Sequence, residues 1–231
     1  MGVEGQEKLR AAKVLIIGAG GLGCPAALYL AAAGIGRLSL ADSDKVDLTN
    51  LQRQILYRTD SVGAQKVFAA ASTLRATNPD VEIVPIPARV KAAELEELAA
   101  QSDVVLDCSD NFATRHAVNR ACVKHRKALV SGAAIRFDAQ VMVFDQRKPD
   151  APCYACLFPE DAEVEEVQCS QMGVFAPLTG MVGSIQAMEA VKLIVGTGES
   201  LSGRLLLIDA KAAEWRSVKV AKDPACRVCG K

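Results

Sequence analysis

The sequence has no excess of charge of either sign: 27 lysines and arginines balance 27 aspartates and glutamates. No global field therefore draws it to nucleic acid or to an acidic membrane. It opens on Met1-Gly2-Val3-Glu4-Gly5-Gln6-Glu7-Lys8, which has no apolar signal core. No apolar stretch runs uninterrupted for the length of a bilayer, because Gly, Arg or Asp breaks the richest windows. A cytoplasmic protein without a membrane segment is expected. Internal repeats and low-complexity tracts are absent. Histidine is scarce: His116 and His125 are the two in the chain. They fall on one predicted helix at a spacing that turns them to opposite sides, which argues against a shared metal site. The eight cysteines read as thiols or metal ligands rather than as a disulfide framework. With 231 residues there is ample chain for a buried core in one large domain, or in one domain with an appendage.

What is present is organised around Lys13 to Asp42. The apolar run Val14 to Ile17 ends in Gly18, Gly20, Gly21 and Gly23, a small-residue helix follows, and a second apolar run closes on Asp42. This is strand, glycine turn, helix, strand. Glycines there let the backbone approach a phosphate, which meets the positive end of the helix dipole. Asp42 stands where an acidic residue accepts hydrogen bonds from ribose hydroxyls. The pattern predicts a bound nucleotide without saying which.

Beyond Asp42, helical spacing over Gly63 to Ala76, alternation over Val81 to Ile86 and a short helix at Lys91 to Ala100 continue the β/α rhythm. A buried strand at Val104 to Leu106, a helix over Phe112 to Arg126 and a strand at Ala128 to Val130 complete it. The expected fold is α/β: a Rossmann-like, doubly wound, largely parallel sheet with helices on both faces. Past Ser131 the pattern changes. Strands are expected at Phe137 to Asp145, Arg204 to Ile208 and Trp215 to Val220, forming an antiparallel extension. A long apolar helix is expected at Pro177 to Val195, and Gln146 to Phe175 reads as a long irregular loop of the kind that carries function. Trp215 is expected in a strand core.

Two constellations carry chemistry. Cys153-x-x-Cys156 and Cys226-x-x-Cys229 are paired-thiolate hooks able to enclose a tetrahedral zinc with no open position, tying the C-terminal tail to the loop; a redox pair or plain buried thiols are the competing readings. Asp42, Asn50, Arg53, Lys66 and Asp110 each lie at or just after the C-terminal end of a predicted strand. In a doubly wound sheet those ends converge on one crevice. There the cations would neutralise phosphate oxygens and Asp110 would hold a magnesium ion. Taken alone, Lys66 reads as a surface charge. Cys169 in the polar loop belongs to neither hook, and Cys24, Cys108 and Cys122 read as packing.

G-A-G-G-L-G at Gly18 to Gly23, D-S-D-K-V-D-L-T-N-L-Q-R-Q at Asp42 to Gln54 and G-A-Q-K at Gly63 to Lys66 together resemble the E1-like adenylyltransferases of the MoeB/ThiF type. So do D-C-S-D-N at Asp107 to Asn111, S-G-A-A-I-R at Ser131 to Arg136 and the two Cys hooks. P-C-Y-A-C-L and G-S-I-Q-A-M-E-A-V-K look more like the molybdopterin branch than the thiamine branch. The resemblance implies ATP-dependent adenylylation of the C-terminal glycine of a ubiquitin-fold sulfur carrier ending in Gly-Gly. It implies Gly21 against phosphate, Asp42 on ribose, Thr49, Asn50, Arg53, Lys66 and Asn111 around the nucleotide, and Asp110 on magnesium. Zinc on the four hook cysteines, a homodimer and a covalent use of Cys169 in some members are family traits. Residues 1–135 would form a nucleotide-binding half and residues 136–231 a carrier-binding half with a crossover loop. One departure is expected: family members carry an N-terminal arginine that reaches the ATP of the other subunit, and Arg10 lies too close to the first strand to match. A sulfurtransferase domain does not fit in this length, so a separate sulfur donor is expected. The alternatives at this point are a nicotinamide-dependent oxidoreductase, from the glycine motif, and a catalytically silent scaffold for a ubiquitin-fold partner.

Overall fold

The computed structural model describes residues 1–161 and 173–230. In chain order the elements are α1 (Gly2–Ala11), β1 (Lys13–Ile17), α2 (Gly23–Ala32), β2 (Arg37–Ala41), α3 (Lys66–Thr77), β3 (Glu82–Ile86), α4 (Ala92–Ala100) and β4 (Val104–Asp107). Then come α5 (Phe112–Lys124), β5 (Ala128–Ile135), β6 (Asp138–Asp145), α6 (Tyr154–Leu157), α7 (Ala176–Val195), β7 (Arg204–Asp209) and β8 (Glu214–Lys219). The strands form one eight-stranded sheet in the order β3-β2-β1-β4-β5-β6-β7-β8. Pairings from β3 to β5 are parallel; those from β5 to β8 are antiparallel. Strand order reverses between β1 and β4, which makes their C-terminal ends the switch-point crevice where ligands of open α/β sheets bind.

Two separate cores explain why β1 and β4 are apolar over residues 14–17 and 104–106. Side chains alternate between faces along a strand. Val14 and Ile16 join the core under α2, α3 and α7, while Leu15 and Ile17 join the core under α4, α5 and α6. Both layers are completed by helix stripes: Leu30, Leu74, Leu178 and Val182 on one side, Leu95, Val118 and Tyr154 on the other. Helix α7 is long and apolar enough to cross a membrane by length and composition. Here it packs on α2 and β5 as a core helix, close enough to α2 that a Cβ on Gly183 would sit 2.2 Å from the Leu22 carbonyl oxygen.

The expected doubly wound sheet with an antiparallel extension is the fold observed. Three particulars differ. Helix α1 carries too few apolar residues to announce itself: Gly5 and Leu9 are its buried positions, and Lys8 Nζ donates to the Val195 carbonyl at 3.2 Å. Strand β5 runs on to Ile135 rather than stopping at Val130, because β6 pairs with it residue for residue from Ala128↔Asp145 to Ile135↔Asp138. Trp215 is not a core residue: β8 is the sheet edge, and the indole is 51% exposed. The expected irregular loop begins with the short helix α6, and its residues 162–172 lie outside the described residues.

Candidate functional site

The glycine turn between β1 and α2 uses its glycines for different reasons. Gly18 has φ +98°, and a Cβ there would lie 2.7 Å from the Cys108 carbonyl oxygen, so the turn and the chain leaving β4 are in backbone contact. A Cβ on Gly23 would lie 1.9 Å from the Gly18 carbonyl oxygen, which only glycine permits. Gly21 packs against Thr179 of α7, whose atoms would stand 3.1 to 3.2 Å from a Cβ. At Gly20 the nearest neighbour to a Cβ would be Gln54 Nε2 at 3.8 Å. Gly20 is thus the glycine whose backbone is left open to a ligand, as the middle glycine of a dinucleotide-type turn must be. The turn is held from outside. Ala19 N–H donates to Asp42 Oδ2 at 2.7 Å, and Tyr57 Oη donates to the Ala19 carbonyl at 2.7 Å.

Of the polar residues expected from sequence, Asp42 bonds to this turn directly, through Ala19. Asp42 also accepts from the Asp44 N–H at 2.8 Å; carboxylate oxygens bearing one hydrogen bond each still have lone pairs for ribose hydroxyls. Lys66 opens α3 and is 5% exposed, not the solvated charge its type alone suggests. Its ammonium is 2.9 Å from Asp44 Oδ2. A buried cation at a helix N-terminus opposes the helix dipole, so an anionic neighbourhood has to compensate it. Lys66 and Asp42 both lie near enough to act electrostatically on the Cys24 thiol, which burial pushes up to about 12. Arg53 Nη2 donates to Asn50 Oδ1 at 3.0 Å, on the segment that continues through Gln54 to Gly20. Thr49 donates through both N–H and hydroxyl to Asp47 Oδ1, at 2.8 and 2.5 Å. Asp110 is exposed, on the loop that presses on Gly18, and Asn111 caps α5 by accepting from Thr114 N–H at 2.9 Å.

The two cysteine hooks come together although 73 residues separate them. Cys153 Sγ stands 3.7 Å from Cys226 Sγ, Cys156 Sγ 3.4 Å from Cys229 Sγ, and all four sulfurs lie within 4.8 Å of one another. A tetrahedral zinc with Zn–S bonds of about 2.3 Å requires sulfur–sulfur edges of about 3.8 Å, so the donor set fits such an ion. Asn119 Nδ2 donates to Cys153 Sγ at 3.5 Å and Asp223 N–H to Cys156 Sγ at 3.5 Å. Burial holds the Cys153 thiol up at about 11. At Cys226 burial also raises the thiol, but N–H donors from Cys229 and Val228 outweigh it and leave the group low. A dication would let all four ionise.

A family model described as the ThiF family matches residues 1–228. The chain belongs to the ThiF family. It is 46% identical over 230 residues to the molybdopterin-synthase adenylyltransferase of Escherichia coli K12, covering 98% of this chain and 90% of that protein. Identity is 46% to the SAMP-activating enzyme E1 of Haloferax volcanii, over 100% of this chain and 84% of that one. It is 44% to the sulfur carrier protein ThiS adenylyltransferase of E. coli, over 99% and 90%. Among solved structures, E. coli MccB with ATP superposes with a TM-score of 0.87 at 26% identity, covering 99% of this chain and 70% of that one.

Within this ThiF-family site, residues that sequence reasoning passed over do much of the holding. Asp107 is 1% exposed. It accepts from the Ser109 hydroxyl at 2.6 Å and the Ser131 hydroxyl at 2.9 Å, fixing the loop that carries Asp110. Gln186, buried on α7, donates to the Asp107 and Val130 carbonyls at 2.8 and 3.2 Å, bracing the end of β4 against its neighbour β5. Asp107 was visible as a polar residue closing an apolar strand; Gln186 lay in the quoted G-S-I-Q-A-M-E-A-V-K stretch, with nothing there to assign it a bracing role. Cys24, Cys108 and Cys122 are buried, as expected of packing thiols. His116 lies on α5 and His125 caps its end. Cys169 lies outside the described residues.

Proposed function

We propose that this chain activates the C-terminal glycine of a ubiquitin-fold sulfur-carrier protein by adenylylation with ATP. The glycine carboxylate attacks the α-phosphorus, the bond to the β-phosphate oxygen breaks, and acyl-adenylate and pyrophosphate result. The carboxylate is already ionised at neutral pH, so no general base is needed, in keeping with a site built of Arg, Lys and Asp. The observation that carries the reading is the buried Lys66 at the N-terminus of α3, paired with Asp44, whose N–H is bonded to the Asp42 carboxylate that holds the glycine turn at the sheet's switch point. A cation held there against the helix dipole is suited to a polyphosphate. In this reading Asp42 binds ribose, and Gly18, Gly20, Gly21 and Gly23 shape the turn against phosphate. Thr49, Asn50, Arg53, Lys66 and Asn111 surround the nucleotide, and catalysis comes from in-line positioning while Arg53 and Lys66 take up pyrophosphate charge. Asp110 would hold a magnesium ion, which supplies further charge neutralisation to the leaving group.

In this reading the carrier binds residues 136–231. Leu207, Trp215 and Val218 are exposed on β7 and β8. Cys153, Cys156, Cys226 and Cys229 would hold a structural zinc that fastens the tail of this half. Exposed Leu48, Ile55, Val62 and Phe68 support a homodimer, sulfur would come from a separate donor protein, and the setting is the cytoplasm.

ATP–pyrophosphate exchange with a panel of Gly-Gly-ended carriers tests the proposal. Exchange that requires one carrier and its terminal carboxylate is expected. Carrier binding without exchange would reduce the chain to a scaffold, and an NADH absorbance change would reassign it as an oxidoreductase.

A further inference from the structure

Resting on that reading, we infer that Gln54 is a further nucleotide contact, its side-chain amide donating a hydrogen bond to the phosphate seated over Gly20. Gln54 is 3% exposed, and its Oε1 is buried with no hydrogen-bond partner. Native proteins leave few buried side-chain acceptors unmet, and each one asks for an explanation. Phosphate, itself an acceptor, does not meet that oxygen; the contact with the ligand is made by the other end of the same amide. Nε2 is the nearest group to the open side of Gly20, 3.8 Å from where a Cβ would stand. Of the two orientations of the amide, the one with nitrogen toward Gly20 offers a donor to phosphate.

The backbone around Gln54 is fixed on both sides, so the amide is held in place before any ligand arrives. Gln54 N–H donates to the Asn50 carbonyl at 3.0 Å, and its own carbonyl accepts from Tyr57 N–H at 3.1 Å. Tyr57 in turn clamps Ala19 of the glycine turn. The amide and the turn are therefore positioned by one short segment. A neutral donor also does something the cations do not. Arg53 and Lys66 attract any anion, whereas a dehydrated amide at a fixed place selects the position of one phosphate oxygen. A buried donor meeting an anionic oxygen makes the stronger, charge-assisted class of hydrogen bond.

The test compares wild type, Gln54→Leu and Gln54→Glu by calorimetric titration with adenosine, AMP and α,β-methylene-ATP, alongside the thermal midpoint of the unliganded proteins. For Gln54→Leu, adenosine affinity should stay at the wild-type value. AMP and α,β-methylene-ATP should weaken by about tenfold to a hundredfold, the scale of one hydrogen bond to a charged group. The midpoint should hold or rise, since the unmet oxygen is gone. Gln54→Glu should weaken the phosphorylated ligands more than Gln54→Leu does, because a carboxylate opposes phosphate, again with adenosine spared. Equal loss of adenosine and the phosphorylated ligands, or a lower midpoint with unchanged affinity, would make Gln54 a purely structural residue and overturn the inference. Wild-type affinities in both variants would overturn it too. A wild-type chain that binds none of the three ligands would sink the adenylylation reading itself.

Discussion

The inner sheet and the outer sheet of this molecule are stabilised in different ways. From β3 to β5 the strands are parallel and short, and the central pair, β1 and β4, is covered on both faces. From β6 outward they are antiparallel, and at β8 every residue is exposed. The inner half is held by two cores, and its polar groups are free to be spent on a ligand. At its outer edge the other half has little core left to offer. β8 is fastened by its ladder to β7, and the chain beyond it by four sulfurs. A fold can therefore leave an edge with little core, provided something other than burial secures it.

The largest expected effect sharpens this division from the inner side. Asp110→Ala should abolish adenylation, with pyrophosphate exchange at background, while the thermal midpoint stays put because Asp110 is exposed. Near-normal exchange would remove its magnesium role. Arg53→Ala is the next step down: the chemical step should slow by about 10²-fold, the scale of one lost transition-state electrostatic contact. A change confined to the apparent ATP affinity would make Arg53 a binding residue only. From the outer side, Cys226→Ser should cost about 2–5 kcal/mol, comparable to losing a cross-link, and expose the chain after β8 to limited proteolysis. α,β-Methylene-ATP binding should be retained, and its loss would mean the two halves are not separable. The smallest effect belongs to Trp215→Ser. Stability should move by no more than about 0.5 kcal/mol, as for an exposed side chain, while KM for the carrier rises and ATP affinity stays constant.

Legibility followed the same division. The central strands β1 and β4 were readable because burial on both faces favours a continuous apolar run, and the glycine turn because its spacing answers to backbone contacts such as that of Gly23 with Gly18. The burial of Lys66 was not readable, since the Asp44 that pairs with it is 22 residues away. The exposure of Trp215 was equally hidden: an edge strand and a core strand share the same alternation, and only sheet order tells them apart. Residues that work by bracing, Gln186 and Asp107 above all, fall within the quoted motifs, but nothing in those motifs marks them as braces. Their partners are backbone carbonyls and hydroxyls brought near by the fold. The Cys hooks lie at the other extreme, legible from spacing alone although their meeting depends on the entire second half.

That meeting bears on the order of assembly. The ring closed by the hooks spans 73 residues, and closing so long a loop in an unfolded chain is entropically unfavourable. A thiophilic ion bound there would therefore find its full complement of ligands only after the chain between the hooks had docked, and it would work as a latch on a finished structure rather than as a nucleus for it. In a cell short of that ion, the C-terminal tail would come loose first, with the glycine turn still formed.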